Sequence, residues 1–333
     1  MIKKVSFYLA FLSVIIGGPI KAQDFHLSMY DAAPLFLNPA MTGLIDTKMR
    51  AHAHYRTQWN AVAFKPFTTA LVSFDMPAKN KWSFGGQISN MRAGLSNYNV
   101  LQILGSASYL LPLDKSKFHN LSFGLQAGLT QKRLEYQVLT YDAQWTNASG
   151  GSFDKNLPNN ENFAKGVQFQ EQVNFGLLYF YSKQQSRINP FIGLSAFNLT
   201  MPKETFFGSN NRLPMRFYGH TGVRINVNEL LYFIPKILIM NQRNSNEQSI
   251  AMDAGYYFKG EKFYLLAGFV YRNKDASIGY IGFKKDTYIL KMGYDFNTSS
   301  LRSTSKSRGA FEISLTYMGK KGKVTDVKNC PRL

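Results

Sequence analysis

The chain has 333 residues, enough for one large domain or two ordinary ones, and carries a formal charge of +19. Its single cysteine, Cys330, excludes an internal disulfide, so the fold must be stabilised by other means. Mean hydropathy is slightly negative and aromatic residues make up 15% of the chain. This composition argues against a helical membrane protein, and no further stretch of about 18 apolar residues is found.

Residues 1–22 have the pattern of a cleavable signal peptide. Lys3 and Lys4 precede an apolar run from Val5 to Ile16, and Ala22 offers a small residue for cleavage. The apolar run is too short for a transmembrane helix. Without this segment and its three lysines the formal charge is about +16. Because an exported protein rarely meets nucleic acid, we do not expect a nucleic-acid partner.

Residues 23–46 form a segment without strand periodicity. An irregular stretch, Tyr30–Leu37, leads to Asn38-Pro39-Ala40. Proline lacks the N–H group that a strand ladder needs. We therefore expect this segment to be either a periplasmic collar or a plug inside the strands that follow.

From residue 47 the chain alternates between apolar and polar residues. In 48–59, for example, Tyr55 and Trp59 lie on one face while Arg50 and Arg56 lie on the other. These segments run to about ten residues, the length of a tilted membrane-spanning strand, whereas strands of soluble sandwiches average about five or six. Since backbone groups in lipid cannot go unpaired, the strands must close into an antiparallel β-barrel.

We predict an all-β outer-membrane barrel of about fourteen strands over 47–318. The predicted strands are 48–59, 67–76, 82–91, 97–110, 119–130, 172–181, 189–199, 216–227, 230–239, 249–258, 263–272, 276–284, 287–296 and 310–317.

Connection lengths predict the orientation of the barrel. With a periplasmic N-terminus, odd-numbered connections are extracellular, and the long ones 131–171, 200–215, 240–248 and 297–309 are all odd. The even connections are short and rich in lysine, as is the C-terminal tail, 319–333. By this topology more than half of the excess positive charge faces the periplasm. Because the predicted barrel spans the membrane, outer-membrane lipid is one expected partner.

Charged residues of both signs share the predicted inner faces. They form either a selectivity lining for a pore or an ion-pair network that fills the lumen. We favour the network, because acids and bases occur on the same walls. The residues are Arg50, Arg56, Arg216, Arg224 and Lys291 with Asp75, Asp253, Asp295 and Glu312.

Two further patterns offer candidate sites. His52 and His54 share one strand face and could chelate a metal, but no third ligand is evident, so we interpret them as lumen polarity. The long connection 131–171 is rich in aromatic and asparagine residues, including Tyr141 and Trp145. It suits protein contact, and the alternative is a loop folded over the barrel mouth. Motifs of catalysis, metal binding or cofactor binding are not found, so we expect neither an enzyme nor a cofactor.

The mature sequence resembles the PorP/SprF family of the type IX secretion system. The residues that carry the resemblance are Gln23-Asp24, Asn38-Pro39-Ala40, Gly43, Arg56, Gln58-Trp59, Phe123-Gly124-Leu125, Asn174-Phe175-Gly176, Asn198-Leu199, Pro202, Gly293-Tyr294-Asp295, Gly309-Ala310-Phe311-Glu312-Ile313 and Cys330-Pro331-Arg332-Leu333. The resemblance implies export or surface anchoring of a large, adhesin-like secreted protein, in some members for gliding. It also implies periplasmic or outer-membrane secretion components as partners.

Two hypotheses follow from these observations. The first is a secretion-system barrel that binds proteins on both sides of the membrane, with Cys330, Pro331, Arg332 and Leu333 docking on a partner or on the barrel's own rim. A solvated tail is the alternative for those residues. The second hypothesis is a porin or transporter for small solutes, since fatty-acid-transporter barrels carry a similar Asn-Pro-Ala near their N-termini.

Overall fold

A computed structural model describes most of the chain beyond the predicted signal peptide, which lies outside the described residues. The described residues are 26–59, 65–147, 150–161, 163, 165–183, 186–207, 210–300 and 302–320.

Within these residues, fourteen strands form one closed antiparallel barrel. The strands are β1 Arg50–Gln58, β2 Phe67–Pro77, β3 Trp82–Ala93, β4 Tyr98–Pro112, β5 His119–Arg133, β6 Val167–Tyr181, β7 Ile188–Phe197, β8 Arg216–Asn226, β9 Leu231–Gln242, β10 Ser245–Phe258, β11 Phe263–Arg272, β12 Ala276–Lys285, β13 Tyr288–Asn297 and β14 Arg308–Met318. Each strand pairs with the next along the chain, and β1 pairs with β14 to close the ring. The predicted fold class is confirmed.

The two faces of the barrel differ as the alternation predicts. Apolar side chains point outward, among them Ile250 and Ile192, which are 62% and 53% exposed. Polar and charged side chains point inward and are buried, as with His52 and Glu312. A soluble protein would not leave so much apolar surface in water, whereas a lipid-facing wall requires it.

The barrel has two unlike ends. At the short-turn end, the connections are 78–81, 113–118, 182–187, 227–230, 259–262 and 286–287. At the long-loop end, they are 59–66, 94–97, 134–166, 198–215, 243–244, 273–275 and 298–307. Outer-membrane barrels place short turns in the periplasm and long loops outside, so we predict that the long-loop end faces the cell surface.

The long connection predicted at 240–248 is wrong. Strands β9 and β10 continue to Gln242 and Ser245, which pair directly, so only 243–244 turn the chain. The polar run that indicated a loop instead extends the ladder. Within it, the Asn241 amide donates to the side chain of Asn246 across the strands. Arg243 takes the positive φ of 54° that this tight turn needs.

The helices of the described chain are short. The α-helices are α1 Pro34–Leu37 and α2 Arg302–Ser305, and the 3-10 helices are Tyr30–Ala32, Pro39–Met41, Tyr136–Val138 and Asp142–Gln144. A two-stranded ribbon, Trp145–Thr146 with Ser152–Phe153, lies in the connection 134–166. Across the residues with described structure, no helix has the length and hydropathy of a membrane span.

The orientation can be tested with single cysteines in a Cys330→Ser background. Cysteine at Asn159 or Ser303, both in long-loop connections, should react with an impermeant thiol reagent on intact cells. Cysteine at Asn80, in the turn 78–81, should react only after the outer membrane is opened. The reverse pattern would overturn the assignment of the two ends.

Candidate functional site

The N-terminal segment runs through the barrel from one end to the other. His26 contacts Arg272, the last residue of β11 at the long-loop end, with 2.7 Å between ring and guanidinium nitrogens. The Gly43 N–H donates to Asp75, near the short-turn end of β2, at 2.6 Å. Between these points nearly every side chain is buried. We call residues 26–47 the plug segment. The sequence left open whether 23–46 is a collar or a plug. The described residues of this segment lie inside the lumen.

A cluster of buried charges holds the start of the plug segment at the β1–β14 closure. Arg56 and Glu312 are directly opposed in the strand register and form an ion pair. The Glu312 carboxylate also accepts the backbone N–H groups of Ser28 at 2.6 Å and Met29 at 2.8 Å. Arg56 donates to Asp295 at 3.1 Å as well. We call Ser28, Met29, Arg56, Asp295 and Glu312 the seam cluster, and every charge in it is paired.

A second buried cluster lies deeper, around Asp31. The Lys236 ammonium is 2.8 Å from the Asp31 carboxylate and also bonds Asp253, and Lys291 approaches Asp31 at 3.3 Å. Burial alone would raise the pKa of Asp31, but Lys236 and Lys291 lower it well below its usual range. The carboxylate therefore stays charged and ties the plug segment to β9 and β13.

The Asn38-Pro39-Ala40 motif is fixed at three strands. The Asn38 amide donates to the carbonyls of Leu177 on β6 at 3.1 Å and Leu194 on β7 at 3.2 Å, and lies 3.1 Å from the His220 ring nitrogen on β8. Its oxygen accepts the Ala40 N–H at 2.9 Å, which caps the 3-10 helix that begins at Pro39. A single asparagine thus sets both the local turn and its position on the wall.

Two glycines make room for this motif. Gly124 on β5 and Gly176 on β6 are direct partners across the ladder. A Cβ at Gly124 would collide with the Pro39 and Ala40 backbone, and one at Gly176 would collide with Asn38 and lie 2.7 Å from the Ala40 nitrogen. The backbone of the plug segment therefore rests directly on the strand backbone, which only glycine permits.

The end of the plug segment is held at Arg50. Its guanidinium forms two bonds with Asp75, at 2.9 and 2.7 Å, and a third with the Met41 carbonyl at 3.1 Å. Since Asp75 also accepts the Gly43 N–H, this pair joins β1, β2 and the plug segment just before the chain enters the barrel wall.

The predicted lumen residues thus fall into separate clusters. Arg56, Asp295 and Glu312 lie together, while Lys291 lies with Asp31. Arg224 is at the short-turn end, where its guanidinium carbon lies 3.6 Å from the Tyr232 ring centre and its Nε donates to Asn226 at 3.0 Å.

Asp31 and Lys236 were missed by the sequence reasoning. Lys236 stands alone within the apolar run Leu231–Met240, and a lone inward lysine is a usable signal of a buried partner. The Asp31 carboxylate that it meets lies 205 positions away in the chain.

The two histidines take part in polar contacts within the wall. His52 Nδ1 lies 2.8 Å from the Thr316 hydroxyl, and His54 Nε2 lies 3.2 Å from Glu312. Within the described ranges no group of three or more side chains is arranged to hold a metal ion.

The predicted contact loop carries an aromatic surface at the long-loop end. Tyr136 stacks on Phe163 at 4.3 Å, and Phe163 meets Phe207 of the connection 198–215 at 4.7 Å. Tyr141 belongs to this packed group, with its hydroxyl bonded to the Tyr136 carbonyl at 2.9 Å.

Trp145 differs from these rings. It pairs edge-on with Phe153 at 4.9 Å, and the two are 50% and 45% exposed. We call Trp145 and Phe153 the aromatic patch.

The predicted tail motif Cys330–Leu333 lies outside the described residues. The chain leaves the barrel at the short-turn end, where the Gly319 N–H donates to the Met49 carbonyl at 2.8 Å and the backbone N–H of Lys48 donates to the Lys320 carbonyl at 3.2 Å. These bonds place the start of the tail beside the start of β1.

Known proteins resemble the chain at two levels. In fold, it is similar to the Ralstonia pickettii toluene transporter TbuX, with 10% identity and a TM-score of 0.51 over 87% of this chain and 94% of that one. A mutant of the monoaromatic hydrocarbon channel TodX gives 12% identity and a TM-score of 0.51 over the same shares. Such low identities show the fold alone.

In sequence, a search of curated proteins finds no match. The family model described as type IX secretion system membrane protein PorP/SprF, however, matches residues 20–317. Since this match spans the plug segment and nearly the whole barrel, the chain belongs to the PorP/SprF family of outer-membrane barrels in the type IX secretion system.

Proposed function

We propose that this barrel supports the export or surface anchoring of a large secreted protein by binding it at the long-loop end. The observation that carries the proposal is the plug segment that occupies the lumen. Charge clusters at the closure, in the middle and at the short-turn end hold the plug segment against the wall. A barrel filled in this way suits a protein-binding scaffold better than a pore for small solutes.

The aromatic patch supplies a contact surface of the right composition. Tryptophan and other aromatic residues dominate protein–protein binding energy, and here two such rings are exposed on a ribbon above the barrel. On the opposite side, the short turns and the beginning of the tail offer basic groups to periplasmic secretion components. We further propose that residues 1–22 are a signal peptide, which would deliver the chain to the periplasm before insertion.

A pull-down from detergent-solubilised outer membranes tests the proposal. Wild-type protein should retain a large secreted protein, and Trp145→Ala/Phe153→Ala should weaken its binding by about 30-fold, since a central aromatic contact is worth about 2 kcal/mol. Trp82→Ala/Phe84→Ala is the matched control, because it removes an exposed aromatic pair near the short-turn end. Equal retention by both variants would argue against the aromatic patch as the contact.

A second prediction concerns the tail. Deleting Lys328–Leu333 should leave the barrel inserted and heat-modifiable on gels, yet abolish surface display of the secreted protein. Replacing the same six residues by glycine and serine should have the same effect if Arg332 and its neighbours are recognised. Unchanged display in both variants would show that these residues are a solvated end.

A further inference from the structure

A cavity of about 340 Å³ opens at the short-turn end, between the plug segment and strands β8 to β14. The residues that line the cavity place it at this end of the barrel. Tyr232 and Ile289 are each the second residue of a strand that starts at this end, and Lys284 and Met318 stand at or next to the end of strands that finish there. The cavity belongs neither to the seam cluster nor to the aromatic patch.

One side of the cavity is apolar, which is unusual for the inner face of an outer-membrane barrel. Ile234 on β9 and Leu266 on β11 point inward and are 2% and 8% exposed. The plug segment adds Met41 and Leu44 to these apolar groups. These groups form a wall that an aliphatic chain can cover without any loss of hydrogen bonds.

The other side carries basic groups from three strands. Arg224 on β8 is positioned by the Tyr232 ring and by Asn226, as described above. Lys284 on β12 stands at the exposed rim, and Lys291 on β13 lies deeper, 5.1 Å from the Tyr280 ring centre. Three acids line the cavity. Asp31 and Asp253 both bond Lys236 at its inner end, whereas Asp46 is exposed. Since Arg224 and Lys284 stand against Asp46 alone, the outer part of the cavity has a net positive charge.

We propose that this cavity binds a small amphiphilic carboxylate that enters from the periplasm. Its aliphatic chain lies along Ile234, Leu266 and Leu44, and its carboxylate is held by Arg224 and Lys284. A guanidinium can bind both carboxylate oxygens at once. The volume lies near the lower end of the range of about 300 to 1,000 Å³ for small-molecule pockets, so one medium-length chain fits and a two-chain lipid does not.

Such a ligand would contact the plug segment and the wall together. A molecule that binds only when the plug segment is in place stabilises that arrangement by mass action. This inference does not depend on the proposed binding of a secreted protein, because it concerns the opposite end of the barrel.

The test uses full-length barrel in lipid nanodiscs and octanoate carrying a photoreactive diazirine. Cross-linked residues, mapped by mass spectrometry, should be residues of the cavity lining such as Leu44, Ile234, Leu266 and Ile289, and excess octanoate should prevent the labelling. The amine of the same chain length should label these residues at least about tenfold less, since the basic rim repels it.

Two variants separate charge from shape. Arg224→Gln/Lys284→Gln should reduce labelling by about tenfold or more, because two charge-assisted bonds are lost. Ile289→Trp should reduce it through bulk alone, with every charge retained. Arg133→Gln/Lys274→Gln, which removes two exposed cations at the long-loop end, should label as wild type. Equal labelling by the acid and the amine, labels confined to lipid-facing residues, or undiminished labelling of the charge variant would overturn the proposal.

Discussion

Glu312→Gln is expected to lower the free energy of unfolding of the barrel by about 3 kcal/mol or more. The carboxylate is 1% exposed and neutralises Arg56 while accepting two backbone N–H groups of the plug segment. A glutamine oxygen can accept one of these N–H groups, but its amide nitrogen cannot accept the other. The substitution therefore leaves a buried donor without an acceptor and weakens the charge balance of Arg56.

Urea unfolding in detergent micelles, followed by loss of the heat-modifiable gel form, measures this effect. Glu171→Gln is the matched control, since Glu171 is exposed on β6 and its loss should change stability by no more than about 0.5 kcal/mol. Adding Arg56→Gln to Glu312→Gln should recover part of the loss, because the unbalanced charge then disappears. If Glu312→Gln unfolds with the control, the seam cluster does not stabilise the barrel.

Gly176→Val is expected to displace the plug segment from the wall. The new side chain would occupy the space of Asn38 and the Ala40 backbone, and a backbone contact cannot yield as a flexible side chain can. Overpacking of a tight interior costs about 1–3 kcal/mol, and here the Asn38 hydrogen bonds to β6 and β7 are lost as well. The strands themselves should still pair, because valine suits a strand.

Two readouts follow the plug segment in this variant. A cysteine at Leu35, which is 1% exposed, should become reactive to an impermeant thiol reagent in a Cys330→Ser background. The barrel should also conduct ions in planar bilayers. Gly105→Val is the control, because a Cβ at this β4 position meets nothing closer than 3.9 Å. A Gly176→Val barrel that stays unreactive at position 35 and closed to ions would contradict the placement of Asn38-Pro39-Ala40.

The barrel wall was predictable from sequence because its signal is local. Alternation with period two needs only neighbouring residues, and it places Arg56 and Glu312 on the inner face. Strand ends were less predictable where polar residues continue the ladder beyond the lipid. The polar composition around Asn241 and Asn246 indicated a loop. In the structure, however, these two side chains bond each other across the paired strands.

The interior was only partly predictable, because its contacts join distant parts of the chain. The sequence marked Asn38 and Gly176 as notable, yet their contact depends on how a segment without periodicity crosses a closed barrel. Likewise, acids and bases on shared walls indicated ion pairs, but Lys291 pairs with Asp31, which no strand pattern includes. Alternation predicts which face of the wall a strand residue lies on, whereas the path of an irregular plug cannot be predicted in this way.

The most direct test of the central claim is the conductance of the wild-type barrel, purified without partners, in planar lipid bilayers. A plug segment held by the Arg56–Glu312, Asp31–Lys236 and Arg50–Asp75 pairs should leave the membrane without steady current. A large and steady conductance from wild-type protein would instead show an open pore and contradict the account of a plugged, protein-binding barrel.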